Sequence, residues 1–139
     1  MIKNSIFDWY KFYEVGCFLL EKGEEENLRT AINRFYYASF CFSRDFLIEN
    51  NIYCNADLKE KLLSGGSDVH GATRDIFKYS KDLNYGRSHK GKKISRKLKD
   101  LRDERNRVDY VNEHYNSINA VANKCKATSN SIFNLIKDL

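Results

Sequence analysis

The sequence predicts an all-α protein, an up-down helical bundle of about five helices, and three observations carry that prediction. There is no proline in 139 residues, whereas sheet-rich folds place Pro in turns and at sheet edges. Apolar residues recur at three- and four-residue spacing through long segments. Short Gly- and Asn-containing breaks separate those segments, and long helices joined by short loops pack as antiparallel neighbours. The length suits a single domain over residues 1–139. A chain of this size buries roughly two-thirds of its unfolded surface, so it needs no metal or disulfide to fold.

The elements follow in order. Ile6, Trp9, Tyr10, Tyr13, Cys17 and Leu20 predict a helix over residues 6–22. Ser5 and Asp8 have the form of a capping box, and Gly23 is a stop signal. Glu24, Glu25 and Glu26 then open a second helix, where negative charge suits the dipole. That helix spans 25–49 and carries Leu28, Ile32, Phe35, Ser39, Phe42 and Phe46 on one face. Tyr36, Tyr37, Phe40 and Leu47 widen its apolar surface, so it is central in a bundle or also meets another subunit. Residues 58–63 form a short helical turn before the break at Ser64, Gly65, Gly66 and Ser67. Ser67 or Asp68 caps a third long helix through residue 82, and 83–91 is a polar loop. Ile94, Leu98, Leu101, Arg105 and Val108 predict a helix over 92–110. Ile118, Val121, Cys125, Ile132 and Ile136 predict the last, over 113–137.

Composition narrows the class. Hydrophobic residues make up 42% and aromatic residues 14%, which argues against disorder. No apolar run approaches the roughly 20 residues that span a bilayer. The start of the chain does not read as a secretory leader, so a cytoplasmic location is expected. Cys17, Cys41, Cys54 and Cys125 form no CxxC pair and read as reduced thiols, mostly small core residues, without metal-ligand spacing. The net charge is +5, yet residues 86–107 alone hold ten Lys or Arg against three Asp or Glu. That local stripe points to a polyanion, with an ordinary solvated helix face as the alternative.

The densest polar constellation lies on the fourth long helix. Arg105 occupies a position of the apolar stripe, where a charge is costly unless paired. Arg102, Asn106 and Asp109 share the flank beside it. An Arg there suits phosphate, because its planar fork donates two parallel hydrogen bonds. The competing reading is that Arg105 pairs with Asp109 at i,i+4 and only braces the helix end. His70 reads as a capping or packing residue, His89 as a solvated loop residue, and Tyr36 and Tyr37 as core and dimer contacts.

Three segments carry a family resemblance. LRTAINRFYYASF at 28–40 resembles the "SRAYYAAFH" helix of small stand-alone HEPN proteins (higher eukaryote and prokaryote nucleotide-binding). VHGA at 69–72 resembles the "HSGV" start of that family's third helix, and RNRVDY at 105–110 its "LRxxADY" ending. The resemblance runs in the family's order over about residues 6–137. It implies a helical bundle that works as a homodimer without a cofactor. Active members are metal-independent endoribonucleases with Arg, four to six residues, then His near the end of the fourth helix. Arg steadies the charge at the scissile phosphate and His moves a proton.

The chain matches the Arg-polar half at Arg105 and Asn106 and departs at the His, where the spacing reaches Tyr110, Val111 and Asn112. His114 meets the spacing only when counted from Arg107. Asp109 is a weaker candidate, since neighbouring arginines lower a carboxyl pKa. The expected function is therefore RNA-directed, of toxin–antitoxin or antiviral defence type. Arg105, Asn106, His114 and Asp109 are the catalytic candidates, and Arg102, Arg107, Lys92, Lys93 and Arg96 the phosphate contacts. The alternative is a catalytically inactive subunit that binds nucleotide or RNA or partners a nucleotidyltransferase-type antitoxin. Tyr110 is then the candidate for modification.

Overall fold

The computed structural model describes residues 7–110 and 117–139. Helices form over α1 (Tyr10–Lys22), α2 (Glu25–Glu49), α3 (Ala56–Ser64), α4 (Val69–Tyr79), α5 (Lys90–Tyr110) and α6 (Ile118–Lys137). There is no strand among the described residues. Gly23 takes φ 78°, the left-handed cap that glycine adopts without strain, and turns α1 back along α2. Pairings along the helices give the topology. Trp9 meets Asp45 while Gly16 meets Phe35, so α1 runs antiparallel to α2. Arg29 meets Val108 while Tyr37 meets Arg105, so α5 is also antiparallel to α2. Ser39 meets Ser129 and Phe42 meets Phe133, so α6 runs parallel to α2. These four helices form an up-down bundle, and α3 and α4 flank it on the α5 side.

Several expected boundaries move, each for a local reason. The first helix begins at Tyr10, not at residue 6. Asp8 Oδ1 accepts the Tyr10 amide at 3.1 Å, and Trp9 Nε1 donates to Asp45 Oδ2 at 2.7 Å, which holds the preceding residues out of the helix. Ser5 of the expected capping box lies outside the described residues, as do 113–116 of the last helix. The turn expected at 58–63 is a full helix, α3, because Asn55 caps it by accepting the Leu58 amide at 2.9 Å and Gly65 closes it at φ 70°. Asp68 stands at the α4 N-cap but makes no side-chain cap bond there. α4 stops at Tyr79 rather than 82, and α5 starts at Lys90 rather than 92. Both shifts trace to Asn84. Its Nδ2 donates to the carbonyls of Phe77 and Ser80, each at 2.8 Å, and its Oδ1 accepts the Lys92 amide at 2.8 Å.

The core is organised around α2, of which eleven residues are buried, including Leu28, Ile32, Phe35, Tyr36, Ser39 and Leu47. Phe42 and Phe46 are only half-buried, so the expected stripe bends toward Cys41, Ser43 and Leu47. Phe35, Phe77 and Phe133 are all but sealed from solvent, and each such burial contributes about 1.5–3 kcal/mol. Small side chains let α2 and α6 approach closely. Ser39 and Ser129 hydroxyls bond at 2.6 Å, Ser129 donates onward to the Phe35 carbonyl, and Ser43 donates to the Ser39 carbonyl. The seam is thus polar yet satisfied. Cys41 and Cys125 are buried free thiols, and burial pushes their pKa up to about 11 and about 12, so both stay protonated. Among the described residues no helix is long and apolar enough to cross a membrane.

Two glycine-to-alanine substitutions are expected to have opposite signs. A Cβ on Gly16 would sit 2.6 Å from the buried Phe35 ring, so Gly16→Ala lowers stability by about 1–3 kcal/mol. Nothing lies within 4 Å of a Cβ on Gly71, inside α4, so Gly71→Ala raises stability by about 0.5–1 kcal/mol. Urea unfolding midpoints measure both.

Candidate phosphate-binding site

A polar ridge at four-residue intervals on α2 fixes the C-terminal end of α5. Arg29 Nη1 donates to the Val108 carbonyl at 2.8 Å. Asn33 Nδ2 donates to Asp109 Oδ2 at 3.0 Å. Tyr37 Oη accepts from Arg105 Nη2 at 2.5 Å. The i,i+4 spacing stacks these three side chains on one face, so one helix grips the other at successive turns.

Arg105 is held from every side. Its Nη1 donates to Asn106 Oδ1 at 2.7 Å, and its Nε lies 3.5 Å from Asp109 Oδ2. The guanidinium lies over the rings of Tyr36 and Tyr37, 5.5 and 5.1 Å from their centroids. Its side chain is only 11% exposed. Burial works against the charge, but the Tyr37 hydrogen bond and the Asp109 carboxylate outweigh it, and the pKa is raised. Arg105 therefore does brace the helix end, with Asp109 as one of three partners.

Beyond Tyr36 the same face of α2 continues through Phe40 to Arg44, and here α4 brings in His70. The Tyr36 hydroxyl bonds His70 Nδ1. The imidazole stacks on Phe40 at 4.2 Å and on Tyr36 at 5.7 Å. Burial pushes the His70 pKa from 6.5 down to about 4, and the charges of Arg102, Arg105, Arg74 and Arg44 push the same way. Burial raises the Tyr36 hydroxyl pKa above its ordinary value, against the pull of Arg102, Arg74 and Arg105. Tyr36 is 1% exposed and its hydroxyl has no other hydrogen-bond partner among the described residues. A buried hydroxyl proton needs an acceptor, so Tyr36 donates to Nδ1 and the ring proton of neutral His70 sits on Nε2.

Four guanidiniums thus act on one uncharged imidazole, and they differ in how they are occupied. Arg44 pairs with Asp45 at 2.9 Å. Arg105 is committed as described. Arg102 Nε is buried with no hydrogen-bond partner among the described residues, and so is Arg105 Nε, which has only the Asp109 carboxylate at 3.5 Å. Neither Arg102 nor Arg74 enters an ion pair among the described residues. Arg102 also faces a cleft lined by Ser67, Asp68, Gly71 and Asp75, but neither carboxylate reaches ion-pair distance of it. Charges so placed repel one another, and an anion between them would remove that repulsion.

The remaining candidates separate from this cluster. Lys92, Lys93 and Arg96 are exposed on the N-terminal half of α5. Lys92 lies thirteen residues before Arg105, roughly 20 Å along the helix. Arg107 is exposed and pairs with Glu104 at 3.2 Å. Tyr110 is 76% exposed at the end of α5. His114 lies outside the described residues. Sequence reasoning missed Arg74 altogether and assigned His70 to packing. The i,i+4 pair His70–Arg74 was a readable signal, but nothing in the sequence shows that it faces Arg102. Comparison with known proteins is silent: no family model, no curated protein and no solved structure matches the chain.

The His70 shift gives a stability prediction. A folded-state pKa below the ordinary 6.5 means that the unfolded chain takes the proton first. The contribution of neutral His70 is complete above pH 6.5 and is lost as pH falls toward 4. His70→Gln keeps an acceptor for Tyr36 but cannot titrate. Urea midpoints taken between pH 7 and pH 4 are expected to fall less steeply for His70→Gln than for the wild type.

Proposed function

We propose that this chain is an RNA-directed protein of HEPN type, a cytoplasmic homodimer of the toxin–antitoxin or defence kind. Its α2–α4–α5 cluster holds a phosphodiester of the RNA. One observation carries the reading: among the described residues Arg102 and Arg74 stand without ion-pair partners, and they act on an imidazole that stays neutral. Guanidiniums with unused parallel donors are the groups that grip a phosphate. His70 Nε2–H adds a neutral donor to the same anion. In the nuclease form, Arg105 steadies the charge that develops at the scissile phosphorus. His114, reached by the family spacing from Arg107, moves the proton between the 2′-OH and the leaving oxygen, and no metal takes part.

A specific observation favours the second reading, a binding subunit without catalysis. Arg105, the motif arginine, already gives hydrogen bonds to Tyr37 and Asn106 and faces Asp109. In that form the partner is a nucleotidyltransferase-type protein. Tyr110, three-quarters exposed, is then its accessible hydroxyl.

The deciding experiment measures binding and cleavage together. Labelled single-stranded RNA and tRNA are incubated with the purified protein in EDTA, beside Arg74→Ala, Arg102→Ala and His114→Ala. Each lost arginine is expected to weaken binding and to reduce the salt slope of log K by about 0.7. Cleavage by wild type that His114→Ala abolishes identifies the nuclease form. Binding without cleavage identifies the binding subunit. RNA affinity and salt slope unchanged in both arginine variants would contradict the proposed site.

A further inference from the structure

A second surface, one helical turn beyond Arg74 on α4 and near the start of α5, joins exposed aromatic rings to positive charge. Tyr79 ends α4 at 62% exposure, and Tyr85 stands in the α4–α5 loop at 80%. Both line a shallow cleft of about 460 Å³ with Lys78, Lys81, His89 and Lys92. Lys78 Nζ lies 5.2 Å from the centroid of the Tyr79 ring. Residues 78–93 contain six Lys or Arg and one Asp, a net +5 that equals the whole chain's charge. The remainder of the chain sums to zero, and three of these cations, Lys78, Lys81 and Lys92, line the cleft beside the two rings.

Two large apolar rings held in water are unfavourable unless something covers them. The loop that carries Tyr85 is also pre-organised. The Asn84 side chain ties it to the end of α4 through the Phe77, Lys78 and Ser80 carbonyls and to the start of α5 through the Lys92 amide. Gly91 donates its amide to Leu83 at 3.1 Å. A Cβ on Gly91 would meet the Phe77 carbonyl at 2.2 Å, so the base of the loop has no room to shift. His89 is held at φ 46°, a conformation that non-glycine residues seldom adopt. A braced surface of this kind loses little conformational entropy when it binds.

We propose that Tyr79 and Tyr85 form a stacking platform for unpaired bases of single-stranded RNA, whose phosphates Lys78, Lys81 and Lys92 contact. The charge complementarity selects a polyanion, and the rings select one with flat faces. A protein partner rich in acid would satisfy the lysines alone. The choice of RNA over DNA rests on the function proposed above; the platform itself rests only on the exposed rings and their cations. Stacking contributes about 1–3 kcal/mol per base, roughly five- to 150-fold in affinity.

The test compares two probes, a fluorescein-labelled oligoadenylate and inorganic polyphosphate, which carries the charge without the bases. The proteins are wild type, Tyr79→Ala/Tyr85→Ala, Tyr79→Phe/Tyr85→Phe, and Arg74→Ala/Arg102→Ala. The expected result is a loss of tenfold or more for oligoadenylate in Tyr79→Ala/Tyr85→Ala, with the Phe pair like wild type and polyphosphate binding unchanged in both tyrosine pairs, whereas Arg74→Ala/Arg102→Ala weakens both probes. Unchanged oligoadenylate affinity in Tyr79→Ala/Tyr85→Ala overturns the platform, and so does an equal loss there for both probes. So does self-association that Tyr79→Ala/Tyr85→Ala abolishes while RNA binding stays intact, since the rings would then serve a protein contact. The Arg74→Ala/Arg102→Ala protein reports on the phosphate cluster separately, so failure of either site is distinguishable from failure of the other.

Discussion

Burial of α2 is the constraint from which the rest of the structure follows. This helix is packed by α1, α5 and α6 along its length and touched by α4, so few of its side chains reach bulk water. Every polar group it carries inward needs a protein partner, because an unpaired buried polar group costs roughly 1–3 kcal/mol. Its serines solve this with a hydroxyl chain toward α6. Its tyrosines solve it toward the other side, Tyr37 with Arg105 and Tyr36 with His70. The candidate site is thus a consequence of how the core closes. α5 and α4 supply cationic and imidazole partners because α2 presents hydroxyls and aromatic faces to them.

That arrangement leaves a surplus of positive charge. Arg44 and Arg105 each pair with a carboxylate, Asp45 and Asp109, while Arg74 and Arg102 form no ion pair among the described residues, although Asp68 and Asp75 line the cleft beside Arg102. His70 responds by staying neutral, since it is desolvated and a fifth charge there would face four guanidiniums. Like charges placed together are costly unless a carboxylate or a bound anion offsets them. The same logic applies at the α4–α5 loop, where cations crowd around exposed tyrosines. Lys92 and Arg105 lie roughly 20 Å apart along α5, while on α4 Arg74 of the first surface stands one turn before Lys78 of the second.

Much of the fold was legible in the sequence because helical periodicity is a local property. The stripe Ile94, Leu98, Leu101 and Val108 is buried as its spacing requires, and α2 keeps its expected limits of Glu25 and Glu49. The polar position on that stripe, Arg105, was legible for the same reason. What failed was side-chain competition for helix ends. Asn84 draws the last carbonyls of α4 away from water and ends the helix early, and Asn55 starts α3 where only a turn was expected. The site was legible on one helix only. Arg102, Arg105 and Asp109 share α5, so their spacing revealed them, whereas His70 and Arg74 reach them only through tertiary packing. Lys92, Lys93 and Arg96 stand toward the other end of α5 from Arg105, because separation in sequence along a helix is distance in space.

The most direct test of the account is the ionisation of His70, followed by nitrogen-15 NMR in the free protein and with a deoxydinucleotide phosphodiester that cannot be cleaved. The account predicts a neutral ring protonated on Nε2, with a midpoint near 4 in the free protein. Bound phosphodiester, by neutralising the guanidiniums, moves that midpoint up toward the ordinary 6.5. A midpoint already near 6.5 in the free protein, or one that the phosphodiester leaves unmoved at saturation, would contradict it.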